Sequence, residues 1–161
     1  MTEKITLRIA EEEDVDLLLE WENDPAFWRA ANRTHALSAS DLLDYLADKK
    51  GFKKDGQERW VILAGEEERE VGALDLFLWD EKEATAQVGI LIAESEERRN
   101  GLALESLKVL DTMAKELAGI KTLLAWVHAD NVASQGLFSK ASYVYKSRNK
   151  KGDLLFIRTL K

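Results

Sequence analysis

One stretch limits the fold more than any other: residues 85–129. It opens with TAQVGILIA (85–93), an apolar run short enough for a strand and continuous enough to predict burial on both faces. Leu104, Leu107, Leu110, Met113, Ala114 and Leu117 then recur at helical spacing, predicting a helix over 102–117 that buries one stripe. Gly119 supplies its stop, and KTLLAWVHA (121–129) reads as a second strand. A strand, a long helix and a strand in succession make a β-α-β unit, which calls for a sheet with helices laid on its faces.

The rest of the chain fits around that unit. KITLRIA (4–10) alternates Ile5, Leu7 and Ile9 with polar neighbours and predicts a strand. EEEDVDLLLEWEND carries Val15, Leu18, Leu19 and Trp21 or Glu22 at helical spacing, with acids crowding the first turn, where the dipole favours them. Pro25 opens a short second helix that turns Phe27 and Trp28 inward. Ser38 caps a helix over 38–49 with Leu42, Leu43 and Leu46 as its apolar face. GFKKDG reads as a loop, ERWVILA (58–64) and VGALDLFLW (71–79) as a hairpin, and NVASQGLFSKA (131–141) as a helix. YVYKSRN (143–149) and LLFIRTL (154–160) read as a closing hairpin. With 161 residues, no repeat and no linker, the chain is expected to form one domain. The predicted class is α/β (α+β), a central mixed, mostly antiparallel sheet flanked by helices.

Composition narrows the function. There is no cysteine, which removes disulfides, thiolate metal sites and a Cys nucleophile, and fits a reducing compartment; the cytoplasm is the expected location. The net charge of −7 repels nucleic acid and attracts a cationic substrate. No apolar run approaches a membrane span, and MTEKITLRIA is too polar for a signal peptide. Neither nucleic acid nor membrane is expected as a partner. His35 and His128 have no companions at metal-ligand spacing, so no metal is expected. Average usage of about 5% would give roughly eight prolines. Only Pro25 is present, a bias found in helix-rich natural proteins and in chains redesigned for stability.

Two junctions carry chemistry. Arg98-Arg99-Asn100-Gly101-Leu102-Ala103 lies between a strand and the long helix. A helix N-terminus offers unpaired N–H groups and partial positive charge to an anion, Gly101 and Ala103 permit close backbone approach, and the two arginines can add charge-assisted bonds. The stretch resembles the R/Q-x-x-G-x-G/A signature of the GNAT N-acetyltransferases, matching it at Arg98, Gly101 and Ala103. NVASQGLFSKASY is similar to a later motif of the same family, N-x-x-[SA]-x-x-L-Y-x-K-x-G-F, at Asn131, Ser134, Leu137, Lys140 and Ala141. The opening LRIAEEEDVDLLLEWENDPAFW looks like the RimJ/RimL/SpeG branch, whose members acetylate protein N-termini or polyamines.

The resemblance implies acetyl-CoA as cofactor. It implies that Leu91, Ile92 and Ala93 offer their backbone to the pantetheine arm, where the strand splays from its neighbour, and that Arg98, Arg99, Asn100, Gly101, Leu102 and Ala103 seat the pyrophosphate. Asn131, Ser134, Phe138 and Lys140 complete the implied cofactor contacts. Glu22, Asp24, Trp28 and Gln87 are the candidate acceptor residues. Glu22 and Asp24 can hold a cationic amine, although a solvated surface carboxylate is the plainer role of each.

The implied reaction is direct acetyl transfer to an amine. An amine with a pKa near that of lysine is neutral in roughly one molecule in two thousand at pH 7, so a base helps. The family's usual acid is the Tyr of the second motif. Phe138 stands there and cannot donate a proton. Ser134, four residues earlier on the same helical face, can orient water or contact the thiol. Gln87 occupies the region where many members carry an acid, which leaves Asp75 as the best base candidate. Ser134, Asp75 and Asn131 are therefore the catalytic candidates. Ser142 stands where the family has Gly, and Gly136 interrupts a helix. The expected function is acetylation of a polyamine, small amine or protein N-terminus; the alternative is an acyl-CoA-binding, impaired or redesigned member without turnover. A homodimer is left open.

Overall fold

The computed structural model describes residues 3–24, 39–93 and 101–161. Pro25, Phe27, Trp28, His35, Ser38, Arg98, Arg99 and Asn100 lie outside them. The strands are β1 (Ile5–Ile9), β2 (Glu58–Ala64), β3 (Arg69–Asp80), β4 (Thr85–Ile92), β5 (Thr122–Val127), β6 (Val144–Arg148) and β7 (Leu154–Thr159). The described helices are α1 (Val15–Glu22), α2 (Ala39–Ala47), α3 (Phe52–Asp55), α4 (Leu102–Ala118) and α5 (Val132–Lys140). A 3-10 turn over Glu12–Asp14 takes up the acids read as the first turn of α1. GFKKDG is not all loop: Phe52 is buried and anchors the single turn of α3.

Among the described residues, seven strands join one sheet in the order β1-β2-β3-β4-β5-β7-β6. Only β4 and β5, the ends of the β-α-β unit, run parallel. One face packs on α4 and α5 through Ile62, Leu74, Leu76, Val88, Leu107, Leu110 and Phe138. The other packs on α1 and α2 through Val61, Leu63, Ala73, Leu18, Leu42 and Leu46. Alternation along β2 sends successive residues to opposite cores, so ERWVILA is buried along nearly its whole length.

β4 departs from its predicted burial on both faces. Ala86, Val88 and Ile92 are buried toward α4, while Gln87, Gly89 and Leu91 are only half-buried on the opposite side. That side opens on a cleft. The apolar stripe of α4 turns out one step away from its predicted end: Leu102 and Ser106 are fully buried, whereas Leu117 is exposed.

Candidate functional site

β4 and β5 pair at Thr85–Thr122, Ala86–Leu123 and Gln87–Leu124 and no further, although β4 continues to Ile92 and β5 to Val127. Beyond Gln87 the ladder lapses, and backbone groups on that edge of β4 have no strand partner from β5. A cleft of about 980 Å³ occupies this parting and extends over the sheet beneath α1 and α2. Gln87, Gly89, Ile90, Leu91 and Trp126 line the parting; Glu22, Asp41, Tyr45, Glu58, Arg59 and Asp75 line the extension. The turn between β6 and β7 adds Lys150, Lys151 and Asp153. Among the described residues the lining therefore includes five acidic residues and three basic ones.

The extension is organised by Arg59. Its Nε and Nη2 donate to Asp75 Oδ1 and Oδ2 at 2.6 and 3.1 Å, and its Nη1 lies 3.3 Å from Glu22 Oε1. Burial works against the guanidinium's charge, but Asp75 and Glu22 outweigh it and raise its pKa above the ordinary value. Glu22 is buried in this pair, not solvated at the surface. Asp75 sits opposite Gly89 on β4, with its Oδ2 3.7 Å from where a Gly89 Cβ would lie. The chain Glu22–Arg59–Asp75 therefore runs across α1, β2 and β3 to the point where β4 leaves β5. Tyr45 lines the same wall; burial first, then the charges of Glu58 and Asp75, raise its pKa and keep the phenol protonated.

The remaining predicted residues divide into three groups. Glu22, Asp75, Gln87 and Leu91 line the cleft. Ile92 is core, and the N–H of Ala93 donates to Val71 O at 2.9 Å, so Ala93 is tied to β3. Asp24 is exposed just beyond α1. Gly101 caps α4 in the left-handed region at φ 72, without a side-chain cap, followed by fully buried Leu102 and half-buried Ala103. Such a terminus leaves N–H groups for an anion, which fits a pyrophosphate seat. Asn131 caps α5 by accepting the Ser134 N–H at 3.1 Å, and Ser134 itself is half-buried. Phe138 is buried edge-on to Tyr143 at 4.9 Å, and Lys140 is exposed. Arg98, Arg99, Asn100 and Trp28 lie outside the described residues.

Sequence reading missed Arg59, Tyr45 and Glu58. A lone Arg inside the apolar run ERWVILA was the available signal, because a charge in such a strand must find partners. Among the described residues, no group of three or more His, Asp or Glu could hold a metal, and no helix is long and apolar enough to cross a membrane.

The comparisons agree with this geometry. The family model for an acetyltransferase (GNAT) domain matches residues 4–144. An uncharacterized N-acetyltransferase p20 from Bacillus licheniformis is 24% identical over 143 residues, 88% of this chain and 80% of that protein. A domain from Methanocaldococcus jannaschii superposes with TM-score 0.82 at 19% identity, covering 98% of this chain and 99% of its own. Spermidine N-acetyltransferase from Vibrio cholerae, in complex with CoA and spermine, gives TM-score 0.83 at 14% identity over 97% and 95%. Aminoglycoside acetyltransferase AAC(6')-Ib in complex with coenzyme A gives 0.79 at 13% over 97% and 95%. The parted strands, the glycine-capped helix terminus and the match across 4–144 lead to one assignment: the chain belongs to the GNAT acetyltransferase family, with the acetyl-CoA dependence that membership implies.

Proposed function

We propose that this protein transfers acetyl from acetyl-CoA to a cationic primary amine. The observation that carries the reading is the continuity of the β4–β5 parting with an acid-lined cleft. One end suits an extended arm that pairs with strand backbone, with Leu91 and Ile92 supplying it and the Gly101 terminus, with Arg98, Arg99 and Asn100, meeting the phosphates. The other end, with Glu22, Asp41 and Asp75, suits an ammonium.

When bound, the cofactor supplies an acetyl thioester. The chain's own residues orient the acceptor and manage its protons. Asp75 lies beside Gly89 and biases the cleft toward positive charge. Asn131 sets the first turn of α5 by accepting the Ser134 N–H, and we assign the Ser134 hydroxyl to the thiol side of the reaction. Phe138 offers no proton; a thiol like that of cysteine, with a pKa near 8.5, can depart as thiolate at some cost. Tyr143 does not line the cleft and is no substitute.

The test is calorimetry with coenzyme A followed by thiol-release turnover over polyamines, monoamines, aminoglycosides and peptide N-termini. Saturable binding with turnover of at least one cationic amine is expected; no heat at millimolar coenzyme A overturns the reading. Phe138 favours a second reading, an acyl-CoA-binding protein without turnover, which binding without reaction across the panel would establish.

A further inference from the structure

One position on the cleft floor carries no side chain. Gly89 is the second residue past Gln87, the last β4 residue paired with β5, so it stands where the two strands have parted. It lies on the same face of β4 as Gln87 and Leu91, and all three line the cleft. On β3 its partner is Asp75, and the partner of Gln87 is Phe77. Paired residues share a face, so both side chains rise beside Gly89. The distances agree. The point a Gly89 Cβ would occupy is 3.6 Å from Phe77 Cε1, 3.7 Å from Asp75 Oδ2 and 3.8 Å from Asp75 Cβ, the nearest atoms beyond its chain neighbours.

The space over Gly89 is therefore a slot as wide as one missing side chain. Half-buried Gln87 and Leu91 bound it along β4, each about 7 Å away at the Cα. The Asp75 carboxylate and the Phe77 ring bound it toward β3. Toward β5 it opens on the parting.

Asp75 has charge and hydrogen-bonding capacity to offer there. Glu22 and Asp75 together meet one guanidinium, which leaves the three groups with one net negative charge. Arg59 Nε gives Oδ1 the short bond, 2.6 Å, while Oδ2 takes the longer one, 3.1 Å. Oδ2 is the oxygen beside Gly89, and its second lone pair can accept from another donor. The Arg59 fork thus fixes the carboxylate and turns a charged acceptor toward the slot.

We propose that the slot over Gly89 seats the acceptor's ammonium and selects an aminomethyl terminus over an amine on a branched carbon. This rests on the acetyl-transfer reading above and narrows it: polyamines and straight-chain amines fit, whereas peptide N-termini other than glycine carry a side chain on the carbon that bears nitrogen. Asp75 Oδ2 accepts an ammonium N–H, and the Phe77 ring packs against the methylenes. The open side toward β5 leaves the nitrogen facing the strand edge assigned to the cofactor's arm. A methyl branch next to nitrogen doubles the width at that level and meets Asp75 or Phe77.

The experiment measures acetyl-CoA turnover with n-butylamine and its isomer sec-butylamine, which share charge and composition and differ in that branch. KM reads the seat, because a difference in nucleophilicity falls on kcat when chemistry is slow. In wild type, KM for sec-butylamine should exceed that for n-butylamine about tenfold or more, the usual scale for one misplaced carbon. Gly89→Ala puts its Cβ at ordinary contact distance, so the fold tolerates it. It should raise KM for n-butylamine about tenfold, with calorimetric coenzyme A affinity within about twofold of wild type. Asp75→Asn should raise KM for both amines about tenfold or more, the scale of a lost hydrogen bond to a charged group. Equal KM for the two isomers in wild type, or a Gly89→Ala enzyme whose n-butylamine KM stays within about twofold, overturns the seat and leaves acetyl transfer standing. Wild type that does not bind coenzyme A overturns the acetyl-transfer reading and the seat with it. Wild type that binds coenzyme A without turnover overturns acetyl transfer, and titration of both amines into the coenzyme A complex then decides the seat by the same ratios. Melting curves show whether each variant is folded; if Gly89→Ala is not, the isomer ratio and Asp75→Asn decide.

Discussion

Ser142 ends α5 with φ 71, a conformation that suits glycine. The Tyr143 N–H bonds to Phe138 O at 2.9 Å and the Ser142 N–H to Ser139 O at 3.1 Å, the paired bonds of a Schellman stop. A Cβ in that region costs about 1 kcal/mol. Ser142→Gly should therefore raise the melting temperature by about 2–4 °C, measured by calorimetric melting. Arg59 acts in the opposite sense. Its removal takes the guanidinium away from buried Glu22 and half-buried Asp75, and breaking a buried pair costs about 3 kcal/mol or more. Urea unfolding of Arg59→Ala should show that loss. Glu58 gives a pH signature. Its folded pKa is raised above the ordinary value, so the unfolded chain holds fewer protons than the folded one as pH rises between the two values. Stability from this group is complete below the unfolded pKa and is lost through that window. Glu58→Gln should be more stable than wild type at pH 7, and the difference should disappear near pH 3, as melts at both pH values would record.

At the scale of elements, the placement of β4 decides the site. Gly72 on β3 lies opposite Ile92, and a Cβ there would sit 2.1 Å from the Leu91 carbonyl oxygen. The obstacle is backbone, so β4 itself must move. Gly72→Ala is expected to weaken coenzyme A binding about tenfold or more, in line with the sensitivity of positioned sites to displacements near 1 Å. Calorimetric titration checks this, and an unchanged affinity would dissociate Leu91 and Ile92 from the cofactor. Gly89, in contrast, meets only side-chain atoms at 3.6 Å and beyond, an ordinary contact. Its small size widens the cleft floor beside Asp75 and does not relieve a backbone collision.

Across the whole molecule, charge and shape act together. The net charge of −7 draws cations to the surface, and the five cleft carboxylates place that attraction at the parting of the sheet. Between 0.1 and 1 M salt the screening length falls from about 10 to about 3 Å. For a polycationic acceptor, kcat/KM should fall about threefold or more over that range, while a monoamine should lose less. Steady-state assays with spermine and a simple monoamine would resolve the difference, and equal salt dependence would argue that the distributed acids play no part in acceptor capture.

Periodicity determined the strands, the long helix and their order, because a half-buried strand and an amphipathic helix each write their own repeat into the chain. Gly119 was legible as a helix stop and Ser142 as a position where glycine is usual, since left-handed backbone restricts residue choice locally. The family was legible for the same reason: its two motifs are short and lie at strand-to-helix junctions. Burial on the outer face of β4 was misread because an apolar run looks alike whether it meets a helix or a cleft. Arg59, Asp75 and Glu22 come from three distant segments, and their ion pairs exist only once β2, β3 and α1 are adjacent. Glu58 is the sharpest case. In the sequence it is one of 30 acids; only the folded sheet buries it. Local backbone preference can be read from neighbours in the chain, whereas desolvation and charge pairing depend on which distant groups the tertiary fold brings within a few ångströms.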